Sequence, residues 1–271
     1  GISSSTQPYD APNGALCVNF NTVFFKRLNG KYVSAEPQTP LMDFALQRIR
    51  RTGLSRGRVV LSQRQRECTL YAGHLFAHFM RAAGIEVRGR VILGSVDESD
   101  TRIYRHLSGF TVEDIITRLL EHSNNFTTNQ LLIAAGVAAF GPPGNLDKGV
   151  QVARQYARRR LALDSLQIVE GSGISRANRI NARDLCRILD GFAPHCSLMR
   201  QEGQVYYKTG TLHGISTRAG YIQTNDGELI RFAILVNTPG KSSDRVLRAL
   251  QKVNFGSAQV RLIGNEGAGA N

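Results

Sequence analysis

No stretch of this sequence is apolar for the ~20 residues that a membrane-spanning helix needs. The longest such run, Leu131 to Phe140, is interrupted by Gly136. The opening residues, GISSSTQPYD, lack both the basic and the apolar parts of a secretory signal, so an exported protein would have its targeting segment outside this chain. Cysteine is scarce: Cys17, Cys68, Cys186 and Cys196 form no CxxC and no zinc-ligand spacing. Cys186 and Cys196 are close enough in sequence to pair in an oxidising compartment, or to stay as thiols. His74 and His78 stand four apart on one helical face, but no carboxylate nearby completes a ligand set, so no metal site is expected there. Internal repeats and low-complexity tracts are missing too.

What is present is a length that can bury a large core and a basic surplus. Thirty-four Lys and Arg face 21 Asp and Glu, a formal +13. The surplus is spread along the chain, +7 over residues 1–105 and +6 over 106–271. Its densest patch is Arg48, Arg50, Arg51, Arg56, Arg58, Arg64 and Arg66, with no interleaved aromatic. That pattern argues against a specific nucleic-acid binder and for a solvated basic surface drawn to anionic polymers.

The first hundred residues read as mostly extended. Leu16 to Phe25 alternates before the turn signal Asn29-Gly30, and Arg58 to Ser62 is a second apolar piece. A helix over Thr69 to Ala83 ends at Gly84, and a short strand is expected over Val87 to Leu93. The polar segment Ser95 to Thr101 is the best linker, which divides the chain into a mostly β accessory region, 1–105, and a second domain, 106–271. Helices then dominate. Thr111 and Asp114 suggest a capping box before an apolar stripe. Asn125 to Phe140 reads as a helix stopped by GPPG, and Asn145 can cap another through Leu161. A short strand, Leu166 to Val169, leads to GSGIS, and a helix runs over Ala182 to Leu189. Strands follow at Val205 to Lys208, Thr217 to Thr224 and Glu228 to Val236, with a hairpin turn at 225–227. A last helix, Ser243 to Val253, would cover that sheet.

Three short elements carry the chemistry. Ser123-Asn124-Asn125 is an SxN triplet between two helices. Gly171-Ser172-Gly173-Ile174-Ser175 is a tight turn after a strand, and Lys208-Thr209-Gly210-Thr211 lies on the first strand of the sheet. In this order, and with the flanks LLEHSNNFTTNQLL, IVEGSGISRANRI and YYKTGTLHGISTRAGYI, they resemble the active-site motifs of class C low-molecular-mass penicillin-binding proteins, the D-Ala-D-Ala carboxypeptidase and endopeptidase family. PYDAPNGALCVNFNTVFF and the helix around YAG are also similar to stretches of that family, so the resemblance covers most of the chain.

The resemblance implies an α+β, penicillin-binding-protein or β-lactamase-like transpeptidase fold, an antiparallel sheet flanked by helices. It implies an envelope or periplasmic protein whose ligands are peptidoglycan stem peptides or β-lactams, with no metal or cofactor. Ser123 would relay a proton to the leaving amine, and Asn125 would hold the substrate amide. Lys208 would supply positive potential, and Thr209 and Thr211 would bind the terminal carboxylate. The Thr211 N–H would form half of the oxyanion hole. Gly210 would let the substrate lie close to the strand, and Gly171, Ser172 and Gly173 would support the cleft. One family feature has no match. The nucleophile belongs in SxxK, yet the residues three before the six lysines are Val23, Leu28, Asn145, Val205, Thr238 and Ala249, none of them serine. The Ser3, Ser4, Ser5 cluster has no lysine in reach. The expectation is therefore a chain without its nucleophile, incomplete at the front of the domain. It would be either part of a longer enzyme or a degenerate, non-catalytic binding homologue. The place of the missing helix would be filled by the first hundred residues, by an N-terminal segment or by a second copy.

Overall fold

The computed structural model describes residues 7–36 and 38–253. The Ser3 to Ser5 cluster lies outside the described residues. Contacts divide the chain into two compact units, Gly1–Arg179 and Ile180–Asn271.

In the first unit, a three-stranded antiparallel sheet is ordered β2-β1-β3, from β1 (Thr22–Leu28), β2 (Lys31–Ser34) and β3 (Arg56–Val60). Side chains alternate across it. Val23, Phe25 and Val59 face a core completed by Ala45 and Ile49 of α1 (Asp43–Arg50) and by Cys68, Tyr71 and Leu75 of α2 (Gln65–Ala82). The region expected to be mostly extended thus holds two helices. Helix α1 is hard to read because its buried contribution is only Ala45 and Ile49, one turn apart in an arginine-rich run. Helix α2 begins four residues before the expected Thr69.

Two expected strands are not formed. Residues 85–110, which include Val87 to Leu93 and the linker, hold no helix or strand. Between Leu166 and Val169 there is only an isolated bridge from Gln167 to Arg179. An apolar alternation becomes a strand only where a partner edge receives its backbone groups, and none of the described strands pairs with Val87–Leu93.

The helices that follow are the ones the capping signals and the GPPG stop mark: α3 (Val112–His122), α4 (Asn125–Phe140) and α5 (Leu146–Leu161). The Thr111–Asp114 capping box is formed, and Asn145 accepts the Lys148 N–H at 2.9 Å. Helices α4 and α5 pack backbone to backbone. A Cβ added to Gly136 would lie 2.5 Å from the Gly149 nitrogen, and one on Gly149 would lie 2.4 Å from the Leu132 oxygen.

The second unit is a four-stranded antiparallel sheet, β4-β5-β6-β7 in order, made of β4 (Arg200–Glu202), β5 (Val205–Leu212), β6 (Ile215–Gln223) and β7 (Leu229–Val236). Helix α7 (Ser243–Leu250) adds Leu247 to a core of Val205, Tyr207, Ile222, Phe232 and Ile234. It is pinned where the Ser243 N–H donates to Ser216 Oγ at 3.0 Å. Helix α6 (Ala182–Phe192) lies by β7, receives the Tyr221 hydroxyl at the Leu189 oxygen (2.6 Å) and pairs Asp190 with Arg231. All four cysteines are free thiols. Among the described residues no helix is long and apolar enough to cross a membrane.

Candidate functional site

Within the first unit, Ser123 and Asn124 are the whole connection between α3 and α4, and Asn125 is the first residue of α4. Ser123 ends α3 in the left-handed conformation (φ 54°, ψ 58°), its N–H donating to the Leu119 oxygen at 2.9 Å. The next residue, Asn124, starts α4 by accepting the Thr127 N–H at 2.8 Å. One residue closes a helix and its neighbour opens another, so the triplet has no slack, and the cost of a left-handed serine is borne by the two helices.

The triplet is also held from outside. Asn13 Nδ2 donates to the Phe126 oxygen at 2.8 Å and to Gln130 Oε1 at 3.0 Å, and Gln130 Nε2 returns a bond to the Gly14 oxygen at 3.1 Å. The Phe126 ring packs with Ala11 and Val60.

The GSGIS turn comes to the same helix, one turn beyond Asn125. The Gly171 N–H donates to Asn129 Oδ1 at 2.7 Å. The turn itself is wound around Glu170, which sequence reasoning passed over. This buried carboxylate, 4% exposed, accepts the N–H groups of Ser172 (2.7 Å), Gly173 (2.9 Å) and Ser175 (3.2 Å), the Ser172 hydroxyl and the Asn178 amide. Burial pushes the Glu170 carboxyl upward, but the bonds from Ser172, Ser175 and Asn178 together outweigh it and hold the group below its ordinary value. An acid directly before a glycine-serine turn was the available signal, since such turns expose several N–H groups at once.

In the second unit the KTGT segment lies on β5. Strand β4 pairs with β5 only from Val205 to Tyr207, whereas β6 pairs along its whole length to Leu212. Among the described strands of this sheet, none therefore pairs with the second edge of residues 208–212. Lys208, opposite Ala219, is half-buried, and burial lowers its pKa. Thr209 and Thr211 are exposed. At Gly210 the close neighbour is protein: an added Cβ would meet Thr217 Oγ1 at 2.5 Å, and that hydroxyl donates to the Gly210 oxygen at 3.2 Å. Opposite Thr209 stands Arg218. It was not singled out in the sequence; its guanidinium lies 4.8 Å from the Tyr207 ring centroid and 2.6 Å from Asp244 of α7.

A cavity of about 440 Å3 runs along α5, lined by Asp147, Gln151, Arg154, Arg158 and Val169 among others, and no motif residue lines it. Arg154 uses its guanidinium there to hold the Ile168 oxygen at 2.8 Å, which fastens α5 to the approach to Glu170. Among the described residues no group of three or more His, Cys, Asp or Glu could hold a metal ion.

Comparison with known proteins bears on most of the chain. The model of the D-Ala-D-Ala carboxypeptidase 3 (S13) family matches residues 20–199 and 196–254. A D-alanyl-D-alanine carboxypeptidase from Actinomadura sp. (strain R39) is 30% identical over 197 residues, which is 61% of this chain and 36% of that protein. Among solved structures, penicillin binding protein 4 (dacB) from Haemophilus influenzae superposes with a TM-score of 0.70 at 17% identity, over 89% of this chain and 65% of that one. The same protein complexed with a novel beta-lactam gives 0.59 at 19% identity, over 70% of this chain and 48% of that one. The fold is thus the penicillin-binding one, and this chain spans just over a third of the length of the carboxypeptidase it matches.

Proposed function

The chain belongs to the D-Ala-D-Ala carboxypeptidase 3 (S13) family, the low-molecular-mass penicillin-binding proteins, and on that premise we propose that it recognises the D-Ala-D-Ala end of peptidoglycan stem peptides in the cell envelope. The observation that carries the reading is the KTGT segment on a half-paired strand. An extended peptide can add to the open edge of residues 208–212, with main-chain bonds supplying affinity. Thr209 and Thr211 then meet its terminal carboxylate, Lys208 supplies positive potential, and the Thr211 N–H stands ready for an oxyanion. Ser123 serves as the proton relay and Asn125 as the amide holder. Gly171, Ser172 and Gly173 form the supporting turn that Glu170 fixes.

These groups bind and polarise; none attacks. No lysine of the 271 residues has a serine three positions before it. For these 271 residues taken by themselves, this supports a second reading, a segment that holds stem peptides without itself forming an acyl-enzyme. The experiment has two arms. A fluorescent D-Ala-D-Ala peptide should bind the chain, and Lys208→Ala should weaken it about tenfold or more by removing a charge-assisted contact; unchanged affinity would overturn the assignment of β5. A labelled β-lactam should leave no denaturation-stable adduct, because only a covalent acyl bond survives denaturation. An adduct would establish a nucleophile and refute the binding-only reading.

A further inference from the structure

The outer face of the β2-β1-β3 sheet has a composition that neither the fold nor the motifs require. Thr22 pairs with Val60, Phe24 with Arg58 and Lys26 with Arg56, so these six side chains share the face opposite the core. At one end, Val60 is covered by Phe126 and Ala11, which puts that end beside the SxN triplet. At the other end Lys26 and Arg56 are exposed. The run from Val60 to Arg56 covers about 13 Å at ~3.3 Å per residue.

The charges here are arranged. The guanidiniums of Arg56 and Arg58 lie 5.8 and 5.2 Å from the Phe24 ring centroid. Arg58 is steadied further by Glu36 and by the Thr22 hydroxyl at 2.8 Å. Lys26 and Arg56 are direct cross-strand partners, and like charges in that position destabilise a sheet. From Thr22 to Val60 the sequence has eight Lys and Arg against two acids, Glu36 and Asp43, and Asp43 opens α1, which packs on the other face. A basic, aromatic-floored strip with a repulsive pair at its open end complements an anionic polymer, which would relieve the repulsion.

We propose that this face, through Lys26, Arg56 and Arg58, holds the carboxylate-bearing strand of peptidoglycan beside the SxN triplet. The surface is a second point of attachment, built from other residues than β5. It rests on the stem-peptide reading only for the identity of the polymer.

The test is co-sedimentation of the intact chain with purified sacculi. The double variant Lys26→Glu/Arg56→Glu should bind at least about tenfold less, with an unchanged melting temperature and unchanged affinity for the soluble D-Ala-D-Ala peptide. The control, Arg50→Glu/Arg51→Glu, makes the same change in net charge at the end of α1. Equal loss in both doubles would reduce the effect to overall charge and overturn the proposal. Sacculi whose carboxylates have been amidated should lose the wild-type protein, and undiminished binding to them would also overturn it. If the first double loses only duplex DNA, the partner class is wrong. If the wild type ignores the soluble peptide while the sacculus result holds, the β5 reading fails and this one stands. A milder pair, Lys26→Ala/Arg56→Ala, removes the charges without reversing them and should give a smaller loss in the same direction.

Discussion

A carboxylate closed over by N–H and O–H donors resists protonation, and Glu170 is such a group. Its folded pKa lies below the ordinary 4.5. Its contribution to stability is therefore complete above that value and is lost as the pH falls through the lower folded one. Replacing it by glutamine keeps the shape but turns an NH2 toward donors that need acceptors. Glu170→Gln should cost about 2–3 kcal/mol in urea unfolding at neutral pH, and its stability should fall less than that of the wild type on acidification below about pH 5. An identical acid limb in the two proteins would show that the carboxylate is not the titrating group. Ser123 makes the opposite case. It holds a left-handed φ of 54° that glycine adopts without strain. Ser123→Gly should then be as stable as the wild type or more stable by up to ~1 kcal/mol, while peptide binding suffers from the lost hydroxyl. A loss of stability would mean that the hydroxyl holds the helix junction. The SxN triplet could be read from the sequence because its residue types are distinctive. Glu170 leaves a weaker mark, an acid directly before a glycine-serine turn, which gains its meaning only once the N–H groups have converged on it.

At the scale of elements, legibility followed the local signals. Helices α3 and α5 have caps that act over three or four residues and α4 has a GPPG stop, so the capping box at Thr111 and the helices over Asn125 to Phe140 and Asn145 to Leu161 are legible in the sequence. The β6–β7 hairpin had its Asn-Asp-Gly turn. Helix α1 and the unformed strand at Val87 to Leu93 depend instead on what lies across from them, which spacing along the chain does not encode. The α4–α5 contact is also tertiary, yet it is strict. Gly136 and Gly149 let two backbones touch, and the atoms that an added Cβ would strike are main-chain ones that cannot swing aside. Gly149→Ala should therefore cost about 1–3 kcal/mol by overpacking, against about 0.5–1 kcal/mol that its better helix propensity would return. The Gly136→Ala/Gly149→Ala double should cost less than the two singles together, since each forces the same helix crossing apart and the second finds it already opened. Urea midpoints at constant m would measure this, and strict additivity would mean that the two glycines accommodate their added methyls independently.

For the whole molecule, the +13 charge must be separated from any particular site, and ionic strength does that. Exposed charges act over a screening length that shrinks from ~10 Å at 0.1 M salt to ~3 Å at 1 M, while partly buried charges are screened less. Lys26 and Arg56 are exposed, whereas Lys208 is half-buried on β5. Binding to sacculi should accordingly fall by about tenfold or more between these salt concentrations, and binding of the soluble D-Ala-D-Ala peptide by no more than about threefold. The comparison becomes decisive in Lys26→Glu/Arg56→Glu. If the outer sheet face carries the polymer, this variant should lose most of the salt dependence of sacculus binding and keep the shallow slope for the peptide. If instead the basic surplus acts as a diffuse field, as its near-even spread over residues 1–105 and 106–271 allows, the variant's slope should drop only in proportion to the four charges changed. Sacculus sedimentation across a salt series with the two proteins side by side tells a built surface from a merely basic one.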